Sequence, residues 1–600
     1  MPGYPAVPAP DHVTGLERVL HRGVRGPLPK PWVIDVAIAT LAILLIASPL
    51  LFTSDGFAPD FTNAIWLAGS QEHAIAAHLY PTLFLQTQQG GVFYPIFAFY
   101  GGTLFALTGA LAALLGGSTI LAFEVVTLAA IAAAYGGLFW LARQLGVKGV
   151  LAHAPAIVFV TSAYYVSILY GKGAWAEFMA VSALPLVLAA SLRLLRGRLS
   201  VGPVACLVAA SAVLSGSHNI TLLWGSTLAV VALVVYWLAS GRSRELPWRR
   251  MLAVAGLIVL GVGLNGWFLL PDLSYAHDTI ISGEPVSWGA ARILSTFGVI
   301  FDPLRTVPIT SWLPALYVQA PVLALVWGLL AAPLSWRYRR LRAGVATALI
   351  VLASLLVLIM SSAAWSSLPT LFQHAQFTYR LQTYVTLAVE GLVLVGALAL
   401  TRRAQSGRAT RLDRALALGL GLAVAFGVAL SAWQLWVPNT HVHELTFSSL
   451  ANRSEVLRAP PTLLPQSWNA PNDYGDRSLP VLTVTAVFPF DPTQVEDDRL
   501  AGPVSVPAGL QPFATNIAGG PYLVHVGGGV RIVGRTEGGY LVLQRTTDGS
   551  QPVPVELRAH VGAPVVLGRI TTAVSAVLLL ALAGTAAVRR RGRRSPRSQG

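Results

Sequence analysis

An all-α polytopic membrane bundle of about 12 or 13 apolar helices, with a C-terminal β-rich domain held outside the cytoplasm, is the fold this sequence predicts. Three observations carry the expectation. Of 600 residues, 54% are hydrophobic and 11% charged, with mean hydropathy +0.63, whereas a soluble domain carries about a quarter charged residues. Apolar runs recur at about 20 residues, the length that crosses a hydrocarbon core of roughly 30 Å at 1.5 Å per residue. Residues 437–566, rich in Pro and Gly, interrupt the apolar pattern late in the chain.

The first apolar run begins only after a tail, residues 1–31, that holds Arg18, Arg22, Arg25 and Lys30. That is the pattern of a cytoplasmic tail and a first span rather than of a cleavable signal. Spans are expected near 32–52, 93–115, 119–142, 149–170, 175–195, 200–217, 220–240, 250–271, 312–334, 343–361, 381–401, 414–436 and 567–588. The net charge of +15 lies in short Lys and Arg clusters between these runs, which is how positive-inside loops look and not how a nucleic-acid surface looks. The lipid bilayer is therefore the expected partner, and no nucleic acid is. Arg193 to Arg198, Arg242 to Arg250, Arg337 to Arg342, Arg402 to Arg414 and Arg589 to Arg597 mark the cytoplasmic side. A single cysteine, Cys206, excludes an intramolecular disulfide framework and any CxxC metal or redox site. Only Lys30, Lys148 and Lys172 are lysines among 41 basic residues, and together with abundant Ala and Gly this points to a GC-rich bacterial genome and the cytoplasmic (plasma) membrane.

The chain thus divides into the tail 1–31, a multi-span domain 32–436 with outer loops 53–92 and 272–311, the outer domain 437–566, an anchor 567–588 and a basic cytoplasmic tail 589–600. In 437–566, Val481 to Val487, Tyr522 to Val526, Val530 to Val533 and Tyr540 to Gln544 alternate as strands do, with turn signals at Gly538-Gly539 and Asp548-Gly549. Two cytoplasmic termini require an even number of crossings, so one of thirteen segments is not a full span. The three between 93 and 170 are the suspects, with Gly101, Gly102, Gly116, Gly117 and the polar run Thr161 to Tyr165 as marks of a short, broken or re-entrant helix.

Chemistry has four places to sit. The loop after the first span carries Asp55 and Asp60, followed by Phe61 to Leu79, a weakly amphipathic helical pattern with Trp66, Glu72, His73 and His78. Asp60 is read either as a general base at the mouth of a cavity or as the N-cap of that helix in a solvated loop. In Tyr164 to Glu177, the carboxylate Glu177 at the start of a span calls for a cavity or a partner. Lys172 is near in sequence, and Tyr165, Tyr170 and Trp175 form an aromatic belt if Lys172 merely snorkels. His218 and Asn219 suit phosphate or sugar hydroxyls, or a plain turn between helices. Arg380, in Gln373 to Arg380 with Gln376, sits at an outer helix end where the positive-inside rule disfavours it; a phosphate oxygen pair fits its fork, and a salt bridge to Glu177, Asp272 or Asp278 is the alternative. His277 with Asp278 has no ligand spacing specific to a metal, and Walker A, GxSxG and HExxH motifs are all absent.

Taken together, the first helix with its loop bearing Asp55 and Asp60, the Tyr164 to Glu177 stretch followed by Leu184-Pro185-Leu186, the His218-Asn-Ile-Thr element and the Leu368-Pro369 to Arg380 segment resemble the bacterial membrane proteins labelled 6-pyruvoyl-tetrahydropterin-synthase-related. These in turn resemble the GT-C superfamily of polytopic glycosyltransferases. The resemblance covers most of the chain; where such members read Gln-Phe-Pro, this sequence has Gln376-Phe377-Thr378. It implies a GT-C-like fold whose first outer loop supplies an acidic catalytic residue beside an outward-open cavity for a polyprenyl-phosphate sugar. Asp60 would then be the base and Asp55 the second acid, with Glu177, Lys172, Tyr165, His218, Asn219, Gln376 and Arg380 binding substrate. No cofactor is firmly implied, a divalent metal stays open, and the donor is the polyprenyl-phosphate sugar. Acceptors would be envelope glycan or glycolipid. The pterin-synthase label implies no pterin activity, because the His triad such an enzyme needs is not recognisable. In the transferase reading the outer β domain would bind acceptor glycan or a partner, with Trp468 and Tyr522 available for stacking. Two other classes stay open: a transporter or flippase for lipid-linked glycan, although no internal repeat is visible, and a non-catalytic scaffold of envelope assembly, in which the β domain is the working part.

Overall fold

The computed structural model describes residues 31–52, 59–76, 101–197, 199–240, 248–275, 297–305, 317–336, 338–373, 377–436, 499–506, 508–518, 524–535, 540–551, 553–559 and 561–594, with a few positions between 78 and 97 and at 375. Each of the expected apolar segments contains a helix or a bent helix pair, although those expected at 93–115 and 312–334 become helical only from Gly102 and Val322. Long enough to cross a bilayer are α1 (Pro31–Phe52), α4 (Thr119–Leu145), α7 (Trp175–Arg196), α9 (Asn219–Ser240), α13 (Arg339–Met360), α14 (Gln382–Gln405), α15 (Arg411–Trp436) and α16 (Ala563–Arg594). Shorter apolar helices are α3 (Gly102–Leu114), α8 (Val201–Ser217) and α12 (Val322–Ser335). Two segments expected as single spans are broken: 149–171 bends by 53° between α5 (Ala154–Val160) and α6 (Ala163–Val166), and α10 (Trp248–Gly263) meets α11 (Gly266–Tyr275) at 81°. The first break falls on the polar pair Thr161-Ser162, where backbone needs partners that an apolar surface does not supply. Of the other two suspects, α4 is a full-length span, whereas α3 spans only about 20 Å at 1.5 Å per residue.

Burial sorts the helices into core and lipid-facing sets. Most of α14 is buried and very little of α9 is, so α14 is the central post and α9 a peripheral one. Exposed Leu107, Leu114, Val230, Leu238, Leu418 and Leu580 would be liabilities in water and are normal against lipid. α4 runs along α7, with Gly137 set against Pro185: a Cβ at Gly137 would stand 2.7 Å from Leu186 N and Pro185 C.

The loop after α1 departs from the expected solvated segment. Its helix α2 (Pro59–Ala76) buries Ala64 to Ala68 and Gln71 against α3. The close approach depends on Gly109, where a Cβ would come within 2.7 Å of Ala68 O. Gln71 also holds the chain beyond it, donating from Nε2 to Thr82 O and accepting from Thr82 N–H.

The C-terminal strands form two sheets. One, in the order β1-β2-β4-β7-β6, joins β1 (Leu85–Gln86) and β2 (Phe93–Tyr94) to β4 (Phe513–Ala518), β7 (Tyr540–Arg545) and β6 (Val530–Arg535); the other, β3-β8-β5, comprises β3 (Arg499–Val506), β8 (Val553–Ala559) and β5 (Val524–Val526). Phe93 pairs with Ile517, so the loop after α1 lends two strands to the C-terminal domain. A shared core of Trp267, Phe268, Tyr275, Phe513, Leu541 and Leu543 seats the sheets on α11, and α11 packs on α16. Trp468 and Tyr522 lie outside the described residues.

Gly137→Ala is expected to lower thermal stability in detergent by about 1–3 kcal/mol through overpacking at Pro185. Gly136→Ala, whose Cβ meets nothing within 4 Å, is expected to leave it unchanged or raise it by up to about 1 kcal/mol. Paired thermal unfolding curves check both.

Candidate functional site

The site grows from the broken segment before α7. After α6 the chain makes a π-helical turn, Ser167–Gly171, and passes Lys172 and Gly173, whose φ of +72° is a left-handed conformation that suits glycine, before α7 starts at Trp175. Glu177 lies in the first turn of α7, where the helix dipole favours a carboxylate. The second half comes from some two hundred residues further on. The 3₁₀ turn Thr378–Leu381 ahead of α14 presents Arg380.

These two segments meet in a buried ionic cluster. Tyr164 Oη donates to Glu177 Oε1 at 2.8 Å. Glu177 Oε2 faces Arg380 Nε at 3.3 Å and Lys172 Nζ at 3.5 Å. The three charged side chains are 3%, 12% and 10% exposed for Glu177, Arg380 and Lys172. Desolvating any one of them alone costs several kcal/mol, so their convergence is what permits the burial. Among the described residues, both cations face the same carboxylate. Aromatic rings frame it: Lys172 lies over Phe377 and Tyr379 at 5.6 and 5.8 Å, and Arg380 over Phe377 at 5.8 Å. Tyr379 stacks on Phe377 and meets Tyr164 edge-on. Arg380 Nη1 also donates to Ala375 O at 3.2 Å, which fixes the plane of the guanidinium.

A small cleft, partly open to solvent, lies against this cluster and is lined by Glu177, Arg380, His218, Thr221, Trp224 and Tyr384 among others. His218 Nδ1 accepts from Thr221 N–H at 3.3 Å and lies 2.8 Å from Thr221 Oγ1. Because a backbone N–H only donates, the neutral imidazole carries its proton on Nε2. Tyr384 Oη donates to Thr221 O at 3.0 Å and pins α14 to α9 beside the cleft. The apolar wall is Trp224, stacked on Trp365 and edge-on to Phe372.

Of the residues expected from sequence, Glu177, Lys172, Arg380 and His218 come together here. Asn219 turns aside: its amide donates to Asp272 Oδ2 at 2.5 Å and ties the start of α9 to α11. Tyr165 is buried in the core between Phe159 and Phe178, its hydroxyl 2.8 Å from Ser182 Oγ, and its neighbour Tyr164 is the tyrosine that reaches Glu177. The break at Thr161-Ser162 rotates the two, and sequence spacing alone carries no signal for that. Asp55, Gln376, His277 and Asp278 lie outside the described residues; Asp60 is the second residue of α2, and its side chain is outside them too. Trp224 and Tyr384 had no polar motif to flag them. Among the described residues no three His, Cys, Asp or Glu side chains gather as a metal site.

No family model and no curated protein matches this sequence. Among solved structures, the chain is similar to the cryo-EM structure of the arabinofuranosyltransferase AftD from Mycobacteria, at 19% identity and a TM-score of 0.43, over 70% of this chain and 27% of that one. A mutant of the same protein gives 19% identity and 0.42 over 70% and 29%. The chain thus spans less than a third of the length of these structures. Likeness this distant fixes neither a family nor an activity, and the 6-pyruvoyl-tetrahydropterin-synthase-related resemblance has no matching family model beside it.

Glu177→Gln is expected to destabilise the folded protein by about 3–5 kcal/mol, because it removes the carboxylate that faces two buried cations. Tyr164→Phe, which removes one hydrogen bond to a charged group, is expected to cost about 1.5–3 kcal/mol. Thermal unfolding in detergent ranks the two.

Proposed function

We propose that this protein is a membrane glycosyltransferase that moves a sugar from a polyprenyl-phosphate donor to a glycan or glycolipid acceptor on the outer face of the cytoplasmic membrane. The observation that carries the reading is the buried cluster of Lys172, Arg380 and Glu177 beside a cleft walled by Trp224. A buried guanidinium whose plane is held by Ala375 O suits a phosphate oxygen. Sequestered in a site that excludes most water, it would stabilise the negative charge that builds on the phosphate as the anomeric C–O bond breaks.

In this reaction the acceptor hydroxyl oxygen attacks the anomeric carbon, its proton passes to a carboxylate, and the lipid phosphate departs towards Arg380 and Lys172. Glu177 is poorly suited to take the proton, because its two oxygens already serve Tyr164, Arg380 and Lys172. Its role is to position the cations. Asp60, with Asp55 as second acid, remains the proposed base, on the resemblance of the first outer loop. Trp224 offers an apolar face against a sugar ring or prenyl chain, and the Nε2–H of His218 suits a sugar hydroxyl.

Arg380→Lys is expected to keep the charge, lose the fork, and lower sugar transfer from a polyprenyl-phosphate donor in proteoliposomes by about 10²–10³ in kcat, in the range set by loss of one transition-state donor. Asp60→Asn is expected to abolish transfer in protein that still inserts. Undiminished transfer in a folded Arg380→Lys protein would remove the phosphate role. Unchanged transfer in Asp60→Asn would remove Asp60 from the mechanism.

A further inference from the structure

At the ends of α7 and α14 that lie away from the cleft, arginines from three helices gather. Glu177 is in the first turn of α7 and Arg196 ends that helix; Arg380 precedes α14 and Arg402 is in its last turn. Arg340 is in the first turn of α13, and Tyr236 is near the end of α9. α7 meets α9, α9 packs along α13, and α13 packs along α14. The charges of Arg340 and Arg402 and the phenol of Tyr236 all act on Arg196, so the three guanidiniums share one neighbourhood.

Other arginines at this end of the bundle are given acids. Arg403 Nε lies 2.8 Å from Asp413 Oδ1, and Arg143 Nη2 lies 3.9 Å from Asp35 Oδ2. Among the described residues, Arg196, Arg340 and Arg402 have no such partner. Arg402 and Arg403 are adjacent in the chain, so one helix end carries an arginine that is neutralised and one that is not. Arg196 Nη1 donates to Gln144 O at 3.2 Å, and Arg402 lies over the Tyr338 ring at 5.4 Å. A carbonyl and a ring orient a guanidinium without cancelling its charge. Arg196 and Arg340 are exposed and Arg402 is half-buried, so an anion can reach them.

The surface around them is apolar. Tyr236 and Leu238 of α9 are exposed, as is Trp336, two residues before Tyr338, and α9 is little buried along its length. Aromatic side chains at the ends of spans sit at headgroup depth. A ligand here meets positive charge at that depth and an apolar helix face beside it, which is the profile of an anionic amphiphile. The planar fork of each guanidinium matches a pair of phosphate oxygens. We propose that Arg196, Arg340 and Arg402 form a binding site for the phosphate headgroup of an anionic phospholipid in the leaflet opposite the cleft, with the acyl chains lying along α9. The site is independent of sugar transfer.

Titration of phosphatidylglycerol into the purified full chain in nonionic detergent tests the site, with phosphatidylcholine of the same acyl chains as the neutral reference and bound lipid read by native mass spectrometry. Wild type is expected to hold phosphatidylglycerol about tenfold or more tightly than phosphatidylcholine, and the triple variant Arg196→Gln, Arg340→Gln, Arg402→Gln to lose about tenfold or more of that affinity. A second triple variant, Arg408→Gln, Arg411→Gln, Arg414→Gln, removes the same charge from exposed positions that do not act on Arg196. It is expected to leave binding within about twofold of wild type. Should the first triple variant fail to fold, Arg340→Gln alone replaces it, with an expected loss of about fivefold. Equal retention of the two lipids by wild type, undiminished binding in the first variant, or an equal loss in the second overturns the site. Displacement of phosphatidylglycerol by inorganic phosphate at equal concentration overturns the lipid as the source of the phosphate.

Discussion

The candidate site depends on the cost of burying charge. Glu177, Lys172 and Arg380 are each almost wholly removed from water, and none of them is tolerable there alone. Their meeting constrains the bundle in two places at once. It fixes the π turn and Gly173 bend that carry Lys172 to the start of α7, and it fixes the 3₁₀ turn that delivers Arg380 ahead of α14. The cleft takes its charged wall from Glu177 and Arg380 of that cluster. Its shape comes from the helices that flank it, α9 through Trp224 and Thr221 and α14 through Tyr384.

The second organising constraint is close backbone approach. In a bilayer the lipid tails are as apolar as the helices, so helix association relies on packing rather than on escape from water. Small residues at Gly109 and Gly137 let α2 meet α3 and α4 meet α7 at distances that a methyl group would block. On the other side of the molecule a water-type core takes over. Trp267 and Phe268 at the bend between α10 and α11 pack with Phe513, Leu541 and Leu543 of the sheets. The hairpin of β1 and β2 stitches the loop after α1 into the same domain. The chain from the first helix and the chain from the last are thereby held on one side of the bundle.

Much of this was legible in the residues. Thirteen apolar stretches stood out because the transfer free energy of a segment is nearly a sum over its own side chains. The break at Thr161-Ser162 showed as a polar pair inside a run. Lys172, Glu177 and Arg380 showed as charges where charge is expensive. Glu390 carried the same signal, a lone acid within the expected span 381–401, and it is buried. The burial of α2 was not legible, since Glu72, His73 and the other polar residues of 59–76 give it the composition of a solvated helix.

The sequence by itself determined that the chain lives in a membrane, where most of its long helices begin and end within a few residues, and that strands follow late. Those properties are local, set by side chains within one segment. Only the tertiary structure decided that Tyr164 rather than Tyr165 meets Glu177, that Arg380 is its partner rather than Asp272's, and that Phe93 pairs with Ile517. Such choices are made by contacts between segments tens to hundreds of residues apart, where the rotation at a helix break or the absence of one Cβ selects the partner.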